Sequence, residues 1–514
     1  MRDLVIVLGD QLDPASAAFD DFDPTRDSVW MAEAQAETRT GTFPAHQRRL
    51  VLFFSAMRHF RDGLRARGVH VCYHALALAP GAERGHGLAD ILAEDVPRLA
   101  PERLVVLEPG DYHVRRSLEA VAETLGLALD IRTDRHFYTT VADFEHWARG
   151  RRSLLLEDFY RRLRRRHGVL MDGGSPAGGV WNLDHDNRRA FGRQGPGWIE
   201  PPPSFRPDAT TRAVMETVTA RFGDHPGDMA GFDLAVTPAQ AQQVLAHFID
   251  VRLPAFGTWQ DAMWTGGHQL YHSRLSAALN MHLITPQACV EAAVAAWREG
   301  RAALNHVEGF VRQILGWREY VRGIYWSRMP GYAGLNHLGH EGALPAAYWS
   351  GETSMRCMAD AMDNVLTNGY AHHIQRLMVL GLYAQLYGVH PYRFHEWHMA
   401  MYLDAVDWVS LPNTLGMSQF GDGGVMATKP YCASGAYVRR MSNYCRGCRF
   451  DPAKASGPDA CPLTTLYWDF LDRHRERLTG NHRMRLQLKN LQRRSEELPA
   501  IRAQAAALRD KGGE

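Results

Sequence analysis

Three cysteines stand close together in Asn443–Pro462, NYCRGCRFDPAKASGPDACP. Cys445 and Cys448 share a Cys-x-x-Cys turn, and Cys461 follows a loop and is itself followed by proline. Thiolates that converge from tight turns hold soft metals such as zinc or iron. Proline after the last cysteine also occurs in iron–sulfur runs. Such a site normally has four ligands, and Cys72, Cys289, Cys357 and Cys432 are the possible fourth, with Cys72, in an expected strand of another region, the least favoured. Spacing does not choose among them, nor between zinc and an iron–sulfur cluster. The bland alternative is a set of buried, inert thiols.

Three further segments hold polar groups at helical spacing. In YHSRLSAALNMHLITP, Ser273 and Ser276 flank Leu275 where a helix begins, so hydroxyl and N–H groups there could hold phosphate; a simple helix cap is the ordinary reading. In FVRQILGWREYVRGIYW, Gln313, Trp317, Arg318 and Glu319 lie on neighbouring turns, as in any amphipathic helix with an ion pair. In YAHHIQRLMVLGLYAQLYG, His372 and His373 precede Arg376. Histidine pairs on helices are more often structural than catalytic.

These residues need a scaffold. The chain has 514 residues, 45% of them apolar, enough for two or more domains. A net charge of +1 gives no global pull towards nucleic acid or membrane, so such a partner would need a local patch. The N-terminal apolar run is too short for a signal peptide, and no stretch approaches 18 uninterrupted apolar residues. Seven sparse cysteines, an odd number, fit a reducing cytoplasm better than a disulfide framework. DLVIVLG, SVWMAEA, VHVCYHA, RLVVLEP and LALDIRT read as strands, and RRLVLFFSAMRHFRDGLRARG and LADILAEDVPRLA as helices between them. This alternation implies a parallel, Rossmann-like α/β sheet over residues 1–135, although LGDQLDP after the first strand is no dinucleotide fingerprint. A Gly- and Pro-rich interdomain linker follows over 136–225. Residues 226–514 carry repeated 3.6-residue periodicity and read as a large all-α domain.

Taken in order, the three polar segments and MYLDAVDWVSLPNTLGMSQFGDGG resemble the photolyase/cryptochrome family. LGDQL, SAMRHF, GGVWNLDHDNR, RQILGWREY, AHHIQRLM, TKPYCASG, YCRGCRFDP and CPLTTLYWDFL resemble its iron–sulfur bacterial branch, similar to prokaryotic (6-4) photolyases, over nearly the whole chain. The resemblance implies FAD in the helical domain, with Ser273, Leu275 and Ser276 at its phosphates, Gln313 and Arg318 lining it, and Arg376 and Asp404 paired beside the ring. It implies a [4Fe–4S] cluster on Cys357, Cys445, Cys448 and Cys461, so that Cys357 is the fourth ligand.

The activity implied is light-driven splitting of pyrimidine–pyrimidone (6-4) photoproducts in UV-damaged DNA. His373 would supply a proton, with His372 as its partner, and Trp317, Leu377, Met417 and Tyr431 would wall the lesion pocket. Trp397 and Trp349 match an electron relay. His398 stands where tyrosine is expected, and Ser410 where an acidic residue is expected. Glu37 matches a 6,7-dimethyl-8-ribityllumazine antenna site. The densest basic run, Arg161–His167, reads first as a solvated helix face and second as a DNA contact. A monomer is expected. A blue-light photoreceptor without repair activity is the alternative, and a light-independent iron–sulfur DNA-binding protein a third reading.

Overall fold

The computed structural model describes residues 1–79 and 85–512. Strands β1 (Asp3–Ile6), β2 (Ser28–Ala32), β5 (Val71–His74), β6 (Arg103–Leu107) and β7 (Ala128–Arg132) form one sheet, and β3 (Arg39–Thr40) pairs with β4 (Phe43–Pro44) in a short hairpin. The sheet order is β5-β2-β1-β6-β7 with every neighbouring pair parallel. The five strands expected from the apolar runs are these five, and the rest of the chain is mainly helical, as its periodicity predicts.

A parallel sheet is buried on both faces, so its strands read as nearly continuous apolar runs. Alternate side chains point to opposite faces. Val5, Val29, Met31, Val105 and Leu107 share a core with Leu50, Val51 and Phe54 of α1 (Gln47–Arg65), and this core runs on into the helical body. Leu4, Ile6, Trp30, Leu104 and Val106 face the other layer. There they meet Ile91, Leu92 and Val96 of α2 (Leu88–Leu99) and Leu118 and Ala122 of α3 (Tyr112–Leu125). The Asp111 side chain caps α3 by accepting from the His113 and Val114 N–H groups.

Residues 136–225 carry α4 (Val141–Ala148), α5 (Leu156–His167) and α6 (Ala209–Phe222). Phe144 and Phe159 pack edge to face at 5.1 Å, and Phe144 packs on Tyr320 at 5.8 Å, which ties this stretch to the helical body. Pro202, Pro203 and Phe205 join the wall of a cleft described below.

The helical body contains π-helical turns at Phe248–Arg252, Arg312–Arg318, Arg376–Gly381 and Pro412–Ser418. Such turns are rare, break the regular ladder and gather at functional sites. The last three carry Gln313, Trp317, Arg318, Arg376, Leu377 and Met417. Each also contains a glycine at a close approach. A Cβ on Gly381 would run into Ser418 Oγ and lie 2.8 Å from the Arg376 carbonyl oxygen; one on Gly416 would lie 2.6 Å from Asp422 Oδ2. Gly381→Ala should therefore destabilise the protein by about 1–3 kcal/mol through overpacking, read as a lowered urea midpoint at unchanged m-value.

Candidate functional site

A cleft with about 650 Å³ of space, part of it open to solvent, is lined by Leu52, Pro202, Pro203, Phe205, Asp233, Arg274, Ser276, Tyr370, Leu403 and Asp404. At its edge Arg376 meets Asp404 through two hydrogen bonds, 2.9 and 3.2 Å, in the planar fork geometry that favours arginine. Burial alone would lift the Asp404 carboxyl, but Arg376 and a hydrogen bond from Ser276 bring it below its ordinary value. Backbone groups hold both partners: Arg376 Nε donates to the Ala371 carbonyl at 2.6 Å, and Asn280 donates to the Asp404 carbonyl at 2.7 Å.

The Arg376 guanidinium lies 4.0 Å from the centre of the Tyr402 ring, and His398 lies 4.4 Å from the same ring. The Tyr402 hydroxyl and His398 Nδ1 are buried without a protein partner. Buried polar groups are normally satisfied, so orphans close to the ion pair suit a polar ligand. Ser273 Oγ accepts from the Leu275 N–H at 3.3 Å, and Arg274, between the two serines, holds φ at +55° and faces the cleft. Arg274, Tyr370 and the Pro202–Phe205 wall were not singled out from the sequence. Arg274 sits inside the SRLS step and could have been; the wall had no local signal.

Gln313 and Arg318 do not line this cleft. Gln313 is exposed and donates to the Gly309 carbonyl. Arg318 is buried, packs on Phe137 and Trp408 at 4.3 and 4.8 Å, and reaches the Leu279 carbonyl at 3.4 Å, beneath the helix that carries Ser276. Its Nε and one terminal nitrogen have no protein partner.

His372 is buried, stacks on His272 at 4.5 Å, and neither of its ring nitrogens has a protein partner. His373 has an exposed side chain. Crowding by the protein around it, with His272 and Arg376 nearby, presses His373 down to about 4. Leu377 and Met417 are buried, Trp317 and Tyr431 are half-buried, and Trp317 packs edge-on against Tyr320 at 6.1 Å.

Trp397 is fully buried and donates to the Tyr348 carbonyl at 3.1 Å. The rings packed on it are Tyr348, Phe394 and Tyr402, at 5.0, 5.6 and 5.7 Å. Trp349 follows Tyr348 in the chain and packs on Phe43 at 4.9 Å rather than on Trp397. Ser410 is buried and its hydroxyl has no protein partner.

The sheet order changes direction at β1, and ligands of open α/β sheets settle where such a switch leaves a crevice at the strands' carboxyl ends. Here that crevice holds Asp10 after β1 and Gly110 and Asp111 after β6, and a Cβ on Gly110 would lie 2.7 Å from Asp10 Oδ2 and 2.9 Å from the Trp408 ring. Crowding by protein raises the pKa of Glu37, against the pull of Arg49, although its side chain stays accessible. Burial, with the charges of Asp111, Asp134 and Glu37, lifts Asp10 to about 7. The residue order pointed to Glu37, while Asp10 and Asp111 follow from the topology.

Cys357, Cys445, Cys448 and Cys461 line one hollow with Met355, Gly435, Val438, Tyr444, Phe450 and Leu463. All four thiols are free. A Cβ on Gly435 would lie 2.8 Å from the Cys461 sulfur, so glycine there keeps room at that ligand. Cys72, Cys289 and Cys432 lie outside the hollow. Burial first, then the other three sulfurs, raise the Cys357 thiol well above its ordinary value. In the basic run, Arg164 turns inward to the Leu170 carbonyl, Arg161 pairs with Glu157 and Arg166 with Asp143. Among the described residues no helix is long and apolar enough to cross a membrane.

This constellation on this fold can be compared with known proteins. Residues 5–234 match the family model of deoxyribodipyrimidine photo-lyase-related proteins. The chain is 44% identical over 509 residues to the (6-4) photolyase of Agrobacterium fabrum, covering 99% of each sequence. A class III photolyase from Agrobacterium tumefaciens shares the fold at a TM-score of 0.56 and 16% identity, with 86% of each chain covered. A Synechocystis cryptochrome does so at 0.51 and 13% identity, covering 86% of this chain and 88% of its own. The chain belongs to the photolyase/cryptochrome family, in its prokaryotic (6-4) photolyase branch.

Two outcomes follow from the geometry. Asp404→Asn leaves the Arg376 cation unpaired and should cost about 3 kcal/mol, the low end for a broken buried pair because this one borders a cleft; chemical denaturation measures it. Asp10 in the folded chain keeps its proton to about pH 7, whereas the unfolded chain loses it near 3.8. Stability should therefore fall as pH rises between these values, and Asp10→Asn should flatten that slope in melting curves taken across it.

Proposed function

We propose that this chain is a light-driven (6-4) photolyase. The observation that carries the reading is the Arg376–Asp404 pair at a cleft lined by Arg274, Ser276 and Asp404, in a chain 44% identical throughout to a protein of that name. The cleft suits FAD: Ser273, Arg274 and Ser276 offer hydroxyl and cationic groups to its phosphates, and Arg376 and Asp404 a charge pair to its ring. When bound and reduced, FAD supplies an electron to the lesion on illumination.

The protein's own residues do the rest. A (6-4) lesion must leave the base stack, and damage lowers the cost of unstacking. Trp317, Leu377, Met417 and Tyr431 provide apolar and aromatic walls that exclude water from it. His373 holds the proton that the lesion takes up, and His372, stacked on His272, fixes the neighbouring backbone. Trp397 and Trp349 form the route by which electrons enter, with Tyr348 in contact with Trp397 in place of the expected tyrosine at 398. Glu37, with Asp10 and Arg49, forms the recess for a ribityllumazine antenna. Cys357, Cys445, Cys448 and Cys461 fit a [4Fe–4S] cluster, since four free thiols border one largely apolar hollow.

Purified, reduced protein illuminated with a (6-4)-damaged oligonucleotide should restore the intact bases. Failure to do so with flavin bound would leave a photoreceptor instead. His373 is neutral at pH 7, and its protonated share grows about tenfold for each unit towards 4. The repair rate should therefore rise as pH falls from 8 towards 5.5, and His373→Asn should lose at least about a hundredfold in rate while keeping its flavin absorbance. Cys357→Ser should lose its iron by elemental analysis and its solubility on purification, because such a centre is coupled to folding.

A further inference from the structure

A second cluster of metal-ligating side chains lies on the opposite face of the sheet from the helical body. Cys72 and His74 are two apart on β5, so both point towards the α2 layer. Asp95, on α2, lies between them and is fully buried. Cys72 Sγ is 3.9 Å from His74 Nε2 and 3.7 Å from Asp95 Oδ2, and His74 Nε2 hydrogen-bonds Asp95 Oδ2. One ligand atom from each residue falls within 4.8 Å of the others.

We propose that Cys72, His74 and Asp95 form a binding site for a zinc-class divalent cation. Tetrahedral bonds of about 2.3 Å to sulfur and about 2.0–2.1 Å to nitrogen or oxygen place the ligand atoms about 3.5 Å apart. The two sulfur distances are within a few tenths of an ångström of that value. A thiolate, an imidazole and a carboxylate are zinc's usual donors, and three protein ligands with one open position is the ligand count of catalytic rather than structural zinc sites. Asp95 is also oriented by the Trp30 indole N–H at 2.9 Å and by Arg98 at 2.9 Å, as second-layer groups orient metal carboxylates. Arg98 also lies 3.9 Å from the Cys72 sulfur, with its side chain 55% exposed.

The cation would take the place of the His74–Asp95 hydrogen bond, and the Cys72 thiol would give its proton to solvent on binding. The site would clamp the edge strand of the sheet to α2. It shares no residue with the flavin cleft, the switch-point crevice or the four-cysteine hollow.

The test uses the full-length holoprotein. Wild type, Cys72→Ser and His74→Ala are equilibrated with buffered zinc sulfate, desalted and assayed for zinc, iron and flavin. Wild type should hold one zinc per chain more than either variant, with iron and flavin equal in all three, and zinc should raise the melting temperature of wild type alone. Cadmium added to wild type should produce a sulfur-to-metal ultraviolet band that Cys72→Ser lacks. Equal zinc in wild type and both folded variants, or a cadmium band that survives Cys72→Ser, would overturn the site. In that case the cluster is a hydrogen-bonded network around Asp95. Should a variant lose flavin or iron, the wild-type zinc stoichiometry and melting shift decide alone.

Discussion

Holding a guanidinium and a carboxylate together at the edge of a protein cleft is the constraint around which the helical body is arranged. Each charge removed from water costs several kcal/mol, and attraction alone recovers this only when geometry and further hydrogen bonds are right. Arg376 and Asp404 meet both conditions. The Ala371 carbonyl accepts from Arg376 Nε, Asn280 ties down the Asp404 backbone, and Ser276 donates to its carboxylate. Those anchors come from two separate segments, the SRLS helix and the histidine segment, so satisfying one ion pair draws both to the stretch that ends at Asp404. The same demand explains Tyr402, whose ring face lies under the guanidinium.

The π-helical turns belong to the same economy of space. A widened turn opens the regular ladder where Arg376 and Leu377 stand. Gly381 and Gly416 then allow the helices to approach without a Cβ between them. On the sheet side Gly110 does the equivalent work, leaving room for Asp10 and Trp408 at the mouth of the crevice. Trp408 also packs on Arg318, so one ring borders the crevice and the layer beneath the Ser276 helix.

Much of this was legible in the residue order. The five strands were readable because parallel strands buried on both faces leave long aliphatic runs. Helix α3 was not singled out, since only Leu118 and Ala122 of its residues are fully buried and its pattern is thin. Cys357 could not be chosen from spacing, because the fold and not the local sequence brings it to the other three cysteines; resemblance supplied it. Gln313 and Arg318 sit on a π-helical turn outside the cleft lining, and no hydrophobic period encodes such a turn. Asp10 and Asp111 were passed over because their meeting depends on strand order, which appears only once the sheet is assembled.

The walls of the cleft come from far apart in the chain, from Leu52 through Pro202 to Asp404. The four-cysteine hollow likewise closes only with Cys461. On a ribosome the sheet emerges long before either site is complete. The sheet's strands are therefore all made while the helical body is still open, and the cleft can close only after Asp404 and the four-cysteine hollow only after Cys461.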